Sequence, residues 1–218
     1  MNASIVSDAH GRGITEILHF TTSRGLLGIL ADDAVHSRDH LNEAKYLEHI
    51  KVLNSPDRSR DADWTDYVNL SITAVNDRML GSSQGWHTED DVWWAVLAFD
   101  IEILGHPDVQ FTTTNNAYAN TKRAPGLTGF QALFAPTVPW GIHGSVARRS
   151  AGWPDNRPTE VQAEVLYPQS VSLEYLRAIY VSEEENIDKV TGWIATLANS
   201  AKVDLSAVTV LCKPEVFQ

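Results

Sequence analysis

The stretch VWWAVLAFDI, residues 92–101, limits the fold of this chain more than any other. It is apolar almost without interruption and shows no alternation. A strand covered on both faces reads this way, so the run predicts a central strand of a sheet. The rest of the chain must then supply what covers it.

Other segments supply strands and helices in a mixed order. EILHF (16–20) predicts a short strand leading into TTSRGLLGILAD, where Thr22 or Ser23 can cap a helix with Leu26, Leu27, Ile29 and Leu30 on its apolar face. YVNLSI (67–72) alternates apolar and polar residues, as a half-buried strand does. VQFTT (109–113), VQAEVLY (161–167), LRAIYVS (176–182) and AVTVLC (207–212) predict further strands, and LTGFQALFA (127–135) a short helix. Glu183 to Ser200 reads as an amphipathic helix, with Ser182 as its cap and Glu185 completing a capping box. SPDRSRDADWTD (55–66) reads as loop, and so do residues 136–159, with Pro136, Pro139, Pro154, Pro158, Gly141, Gly144 and Gly152. Strands and helices do not alternate strictly, so the predicted class is α+β in one domain over residues 1–218.

Several chemistries are absent from the sequence. It has no GxxxxGK[ST], no GxGxxG after a strand and no GxSxG. A single cysteine, Cys212, excludes an internal disulfide framework and a multi-cysteine zinc site. HSRDH places His36 and His40 four apart, as on one helical face, but no third ligand accompanies them, and no metal is expected. EDD (89–91) and EEEN (183–186) read as an exposed turn and a helix start. No stretch reaches 18 apolar residues and no basic-then-apolar leader opens the chain, so a cytoplasmic protein without membrane contact is expected.

Charge is distributed unevenly. The net charge is −11, which argues against non-specific duplex binding. Yet residues 111–159 carry Lys122, Arg123, Arg148, Arg149 and Arg157 against Asp155 alone, a local excess of +4. Either these are scattered solvated arginines or they form a polyanion-facing loop. The same region holds Tyr118, Phe130, Trp140 and Trp153 for stacking, His143 as a further stacking or hydrogen-bonding surface, and Asn115 and Asn116 to read a base edge. A loop of more than about 15 residues is more often functional than a plain connection. It feeds into RPTEVQAEVLYPQSV (157–171), which carries Glu160 and Glu164. On an alternating strand Gln162 and Glu164 share one face, opposite Val161, Ala163 and Val165. That face is either solvated or aimed into a cleft.

Four blocks in order resemble the DarT family of toxins, which ADP-ribosylate bases in single-stranded DNA at the expense of NAD. ILHFTTSRGLLGIL is similar to that family's opening strand and helix, DYVNLSITAVNDRML to its second block, VWWAVLAFDIEILGHPDVQFTTTNNAYA to its apolar strand and Asn-Ala turn, and VQAEVLYP to its catalytic strand. The resemblance implies an ADP-ribosyltransferase-like split β-sandwich core with flanking helices, and NAD as co-substrate. It implies Glu164 as the catalytic carboxylate and His19, Phe20, Thr21, Gly28 and Ser71 at the NAD. Taken alone, His19 also fits a core histidine at a strand end, and Gly28 a helix-packing glycine. The family's arginine falls near Val75 or Asn76 here, and Arg78 is the nearest candidate for its catalytic role. Residues 111–164 would select the acceptor, with Asn116, Tyr118, Arg148, Arg149, Trp153 and Gln162 as substrate-binding candidates. Exchanging Arg148 and Arg149 for glutamate should then abolish modification and spare NAD hydrolysis. A separate macrodomain protein is the implied antitoxin. Two other readings stay open: a transferase acting on RNA, protein or a small molecule, which the net acidity favours, and a non-catalytic binding module.

Overall fold

The computed structural model describes residues 1–43, 63–89, 91–141 and 144–218. Residues 55–62 of the expected loop and His143 lie outside those residues. An eight-stranded sheet organises the rest, in the order β12-β11-β4-β1-β3-β9-β5-β6. Its strands are β1 (Ile17–Thr22), β3 (Tyr67–Ile72), β4 (Trp94–Phe99), β5 (Gln110–Thr112), β6 (Arg123–Pro125), β9 (Glu164–Pro168), β11 (Leu176–Val181) and β12 (Thr209–Cys212). All neighbours are antiparallel except β11 and β12, which run parallel around helix α6 (Glu185–Leu197). A parallel pair needs such a crossover, and the amphipathic helix provides it.

The apolar run forms β4, and both of its faces are buried. Ala95, Leu97 and Phe99 enter the main core, while Trp94, Val96 and Ala98 join a second cluster with Leu18, Leu80, Ala178 and Tyr180. That second cluster is why the run does not alternate. Helix α4 (Asp77–Trp86) covers it through Leu80, and Val216 and Phe217 pack on it from the chain end. The main core fills the other face with helices α1 (Ala3–Gly11), α2 (Ser23–Asp32), α5 (Gly126–Ala132) and α6. Fully burying a residue such as Phe99 contributes about 1.5–3 kcal/mol.

Local chemistry sets most element ends. Thr22 caps α2, its hydroxyl accepting the Gly25 N–H at 3.1 Å. A Cβ at Gly25 would come within 2.3 Å of the Thr21 hydroxyl oxygen, so only glycine lets the helix start this close to β1. Asn76 caps α4 by accepting the Met79 N–H at 3.0 Å.

Four expectations need correction. The capping box at α6 does not form, because the first turn closes on backbone carbonyls, Asn186 N–H to Glu183 and Ile187 N–H to Glu184. Residues 136–159 contain a two-stranded hairpin, β7 (Thr137–Pro139) with β8 (Val146–Arg148). Pro139 fits there because this pair has two open edges. His36 ends β2 (Ala34–His36), which pairs with β10 (Ser170–Ser172), whereas His40 lies in helix α3 (Arg38–Glu43). The two histidines therefore share no helical face. The strand expected over 161–167 begins only at Glu164.

Candidate active site

The sheet is nearly split at one seam. β1 pairs with β4 over six residue pairs but with β3 over only two, Ile17 with Ile72 and Leu18 with Ser71. At the next residue the side chain takes over from the ladder: His19 donates from Nδ1 to the Asn69 carbonyl at 3.1 Å. Phe20 lies beside it and tilts against Trp94, Thr21 is buried, and Ser71 is 8% exposed. His19 thus stands at the seam, with Phe20 and Thr21 following it on β1 and Ser71 on β3 across from Leu18. Gly28 is buried inside α2. The glycine that meets the strand is Gly25, readable from its place three residues after the cap.

Burial pushes the His19 pKa below its ordinary value of 6.5, and this outweighs the opposing effect of the Asn69 bond. The ring is thus neutral at pH 7, with the proton on Nδ1 and Nε2 left as an acceptor. A depressed pKa contributes stability above the unfolded value, and that contribution is lost as pH falls through the folded one. Thermal melts of the protein should lose stability below pH 6.5, and His19→Gln should flatten that acid slope. Equal slopes would remove His19 from the account.

Glu164 lies across β3 from the seam. Leu70 on β3 pairs with Val165, and the adjacent Ser71 pairs with Leu18, so β1 and β9 stand about 10 Å apart at backbone level. Phe111 and Val165 form a pair that faces the main core; the next pair, Thr112 with Glu164, turns to the opposite face. Glu164 is only 7% exposed. Its Oε2 accepts the backbone N–H of Asn116 at 2.7 Å. Its own N–H donates to the Thr112 hydroxyl at 3.3 Å, and that hydroxyl donates to the Thr114 carbonyl at 2.9 Å.

A second buried carboxylate shapes the approach to Glu164. Glu160 Oε2 accepts from the Thr114 hydroxyl at 2.7 Å and from the Gln162 N–H at 3.0 Å. The Gln162 amide reaches Glu160 Oε1 at 3.5 Å. Residues 161–163 therefore turn around Glu160 instead of extending β9, which leaves Val161 exposed and Ala163 buried.

A family model described as ssDNA thymidine ADP-ribosyltransferase, DarT, matches residues 18–217. The chain belongs to the DarT family. It is an NAD-dependent ADP-ribosyltransferase of single-stranded DNA, and the resemblance carried by the four sequence blocks holds. No curated protein matches the sequence. Among solved structures, Thermus sp. 2.9 DarT in complex with NAD+ is 15% identical, with a TM-score of 0.59 over 94% of this chain and 98% of that one. The same protein in complex with ADP-ribosylated ssDNA is 14% identical, with a TM-score of 0.59 over 94% and 97%. Thermosipho africanus DarTG in complex with ADP-ribose is 19% identical, with a TM-score of 0.60 over 93% of this chain and 51% of that one. At these identities the likeness extends to the fold, and it agrees with the expected α+β architecture.

The remaining DarT candidates fall into two sets. One borders an open groove lined by Ala74, Val75 and Asp77 on one side and by Trp153, Arg157 and Val161 on the other. The groove reaches Ala163, the residue before Glu164. Trp153 is fixed there by donating from Nε1 to the Pro158 carbonyl at 2.9 Å. Arg78 is exposed on the first turn of α4 with its guanidinium over the Trp140 ring at 5.5 Å, so its described contacts run to the β7–β8 hairpin and not to Glu164. Arg148 is exposed on β8, and Tyr118 is half-buried in the turn after Asn116.

The other set is structural. Arg149 donates to the carbonyls of Arg157 at 2.8 Å and Pro154 at 2.7 Å, and lies 3.6 Å from Asp155 and 5.8 Å from the Phe134 ring centre. Its donors bind the 149–159 loop to itself. Phe130 is fully buried in the core rather than offered for stacking. Asn116 is 1% exposed and reads no base edge from the surface. Its Nδ2 is buried without a partner, a cost of about 1–3 kcal/mol. Sequence reasoning missed the roles of Glu160, Thr112 and Thr114. The only local signal was the run TTTNN (112–116), polar yet directly following a strand.

The groove has one strained wall. Thr73 has φ of 63°, and the Ala74 N–H bonds the Ile72 carbonyl at 2.7 Å, closing a three-residue turn. A β-branched residue held this way stores about 1–3 kcal/mol. Its hydroxyl donates to the Asn156 carbonyl at 2.8 Å, tying the end of β3 to the 149–159 loop.

Proposed function

We propose that the chain transfers ADP-ribose from NAD to thymidine in single-stranded DNA, with Glu164 as the reacting carboxylate. The seam holds the dinucleotide, and the groove beside Ala163 receives the base. The observation that carries this reading is the placement of Glu164, buried, gripped through Oε2 and one strand from His19.

In the reaction the bond between the nicotinamide nitrogen and ribose C1′ breaks, and nicotinamide leaves with the electron pair. Positive charge builds on the sugar, and a fixed carboxylate in a dry site stabilises it. Neutral His19 accepts a ribose hydroxyl on Nε2, and Thr21 adds a further contact. Thymine has one ring N–H; that nitrogen forms the new bond to C1′, and its proton passes to a base or to water. Glu164 serves as that base once nicotinamide has left. Trp140, Trp153, Arg157 and Arg148, within a recognition region spanning residues 111–164, form with Arg78 the cationic and aromatic border along which a single strand lies. A net charge of −11 repels nucleic acid elsewhere on the molecule.

Among the described residues, no helix is long and apolar enough to cross a membrane. Action on DNA fits a cytoplasmic toxin restrained by a separate macrodomain antitoxin. The matched region fills 51% of the T. africanus DarTG chain, which leaves room there for a second part that this chain does not match.

The test is incubation with NAD and matched oligonucleotides, followed by mass spectrometry. The expected product is one ADP-ribose per reactive thymidine on single-stranded DNA, with none on duplex DNA, RNA or protein. Modification of RNA or protein alone would overturn the acceptor assignment. Nicotinamide release at the same rate from the unaltered chain and from Glu164→Gln would overturn the catalytic one.

A further inference from the structure

We propose that Arg123 is a positioning residue for this reaction, acting on Glu164 through Asn116; the inference rests on Glu164 being the reacting carboxylate. Arg123 looks like one more cation for the nucleic acid, since it belongs to the basic excess of residues 111–159. Its geometry points elsewhere. Glu164 on β9 pairs with Thr112 on β5, and Thr112 pairs with Arg123 on β6. Directly opposed residues of antiparallel strands share a face, so the three side chains form a row across three strands. The turn carrying Asn116 folds back over that row. Arg123 grips it twice, from Nε to the Asn116 side-chain oxygen and from Nη2 to the Asn116 carbonyl at 2.5 Å. Asn116 in turn donates its backbone N–H to Glu164 Oε2 at 2.7 Å.

The grip also fixes which way the Asn116 amide faces. A guanidinium only donates, so the amide oxygen must face Arg123 and the NH2 must face away. That NH2 is the buried nitrogen without a partner. The site thus keeps an unsatisfied donor in exchange for the Arg123 contact, a pattern found where position matters more than stability. The Trp64 ring lies 5.2 Å from the guanidinium carbon and backs it on a further side. Arg123 is half-buried and holds a residue 1% exposed. A cation engaged in this way sets where Oε2 sits; it does not meet a phosphate.

The prediction is a split in the kinetic constants. Arg123→Gln should lower kcat roughly 10- to 100-fold, by analogy with the loss when a hydrogen-bond partner that orients a metal-ligating side chain is removed. The fall should be equal for transfer to the oligonucleotide and for nicotinamide release from NAD alone. KM for NAD and for the oligonucleotide should stay within about 2-fold. Arg123→Lys should recover only part of the loss, because an ammonium lacks the two-pronged geometry. Guanidinium ion at millimolar level should rescue Arg123→Ala, and sodium chloride at equal ionic strength should not. A raised oligonucleotide KM with unchanged NAD cleavage would mark Arg123 as a DNA contact and overturn the proposal. A fall in melting temperature with no rescue by guanidinium would make its role merely structural and overturn it as well. Glu164→Gln runs in parallel: if that variant is inactive while Arg123→Gln is normal, this inference alone falls. If Glu164→Gln is active, the assignment of Glu164 falls with it.

Discussion

Glu164→Gln is expected to lower ADP-ribose transfer roughly 10³-fold while leaving the protein folded. The two side chains have the same shape, and the amide oxygen can still accept the Asn116 N–H now held at 2.7 Å. The melting temperature should therefore move little. What disappears, on the proposed mechanism, is the negative charge that faces the ribose as its glycosidic bond opens. That charge acts where water is scarce, since the residue is 7% exposed, and a charge in such a place has a larger effect than one at the surface. The measurement is the fraction of oligonucleotide gaining one ADP-ribose by mass spectrometry, alongside a thermal melt. Activity within about tenfold of the unaltered protein would remove Glu164 from the chemistry.

The second large effect is expected at Arg149. Its guanidinium holds the carbonyls of Pro154 and Arg157 and faces Asp155. Arg149→Glu would set a carboxylate against two carbonyls and another carboxylate, and the loop could not keep its course. That loop carries Trp153, Arg157 and Asn156, hence the groove wall and the partner of the Thr73 hydroxyl. Displacement of a substrate-positioning element by about 1 Å can cost 10²-fold. DNA modification should fall by about that factor, through KM for the oligonucleotide. Nicotinamide release from NAD alone should stay within about 3-fold, because the seam is untouched. Arg148→Glu, on an exposed side chain, should cost far less and show a salt dependence that Arg149→Glu lacks. Equal losses for the two variants would favour simple charge attraction. The double exchange expected from the sequence thus joins two unlike residues, one electrostatic and one structural.

Much of the frame was legible because it depends on local pattern. The run at 92–101 announced a doubly covered strand, and the Gln-Ala-Glu block a strand that carries Glu164. What stayed hidden depends on contacts between distant residues. Glu164 opens β9 instead of sitting within it because Glu160 draws 161–163 into a turn, anchored by Thr114, 46 residues away in sequence. Arg149 read as a free cation because composition counts charges and not what each donor already holds. Helix α1 was missed because Asn2 was its main start signal, a cap accepting the Ser4 N–H at 3.3 Å. Helix α4 was missed because GSSQG (81–85) is poor helix material, although Asn76 and Asp77 supply a cap and a first-turn acid. Packing of Leu80 into the second cluster overrides that propensity.

The hydrogen bond that aims Glu164 is donated by the polypeptide itself, at residue 116. No ordinary side-chain exchange at that position deletes the donor; proline alone lacks the proton. Mutation nearby, as at Arg123, can therefore shift the turn and with it the aim of the carboxylate, but it seldom removes the donor itself.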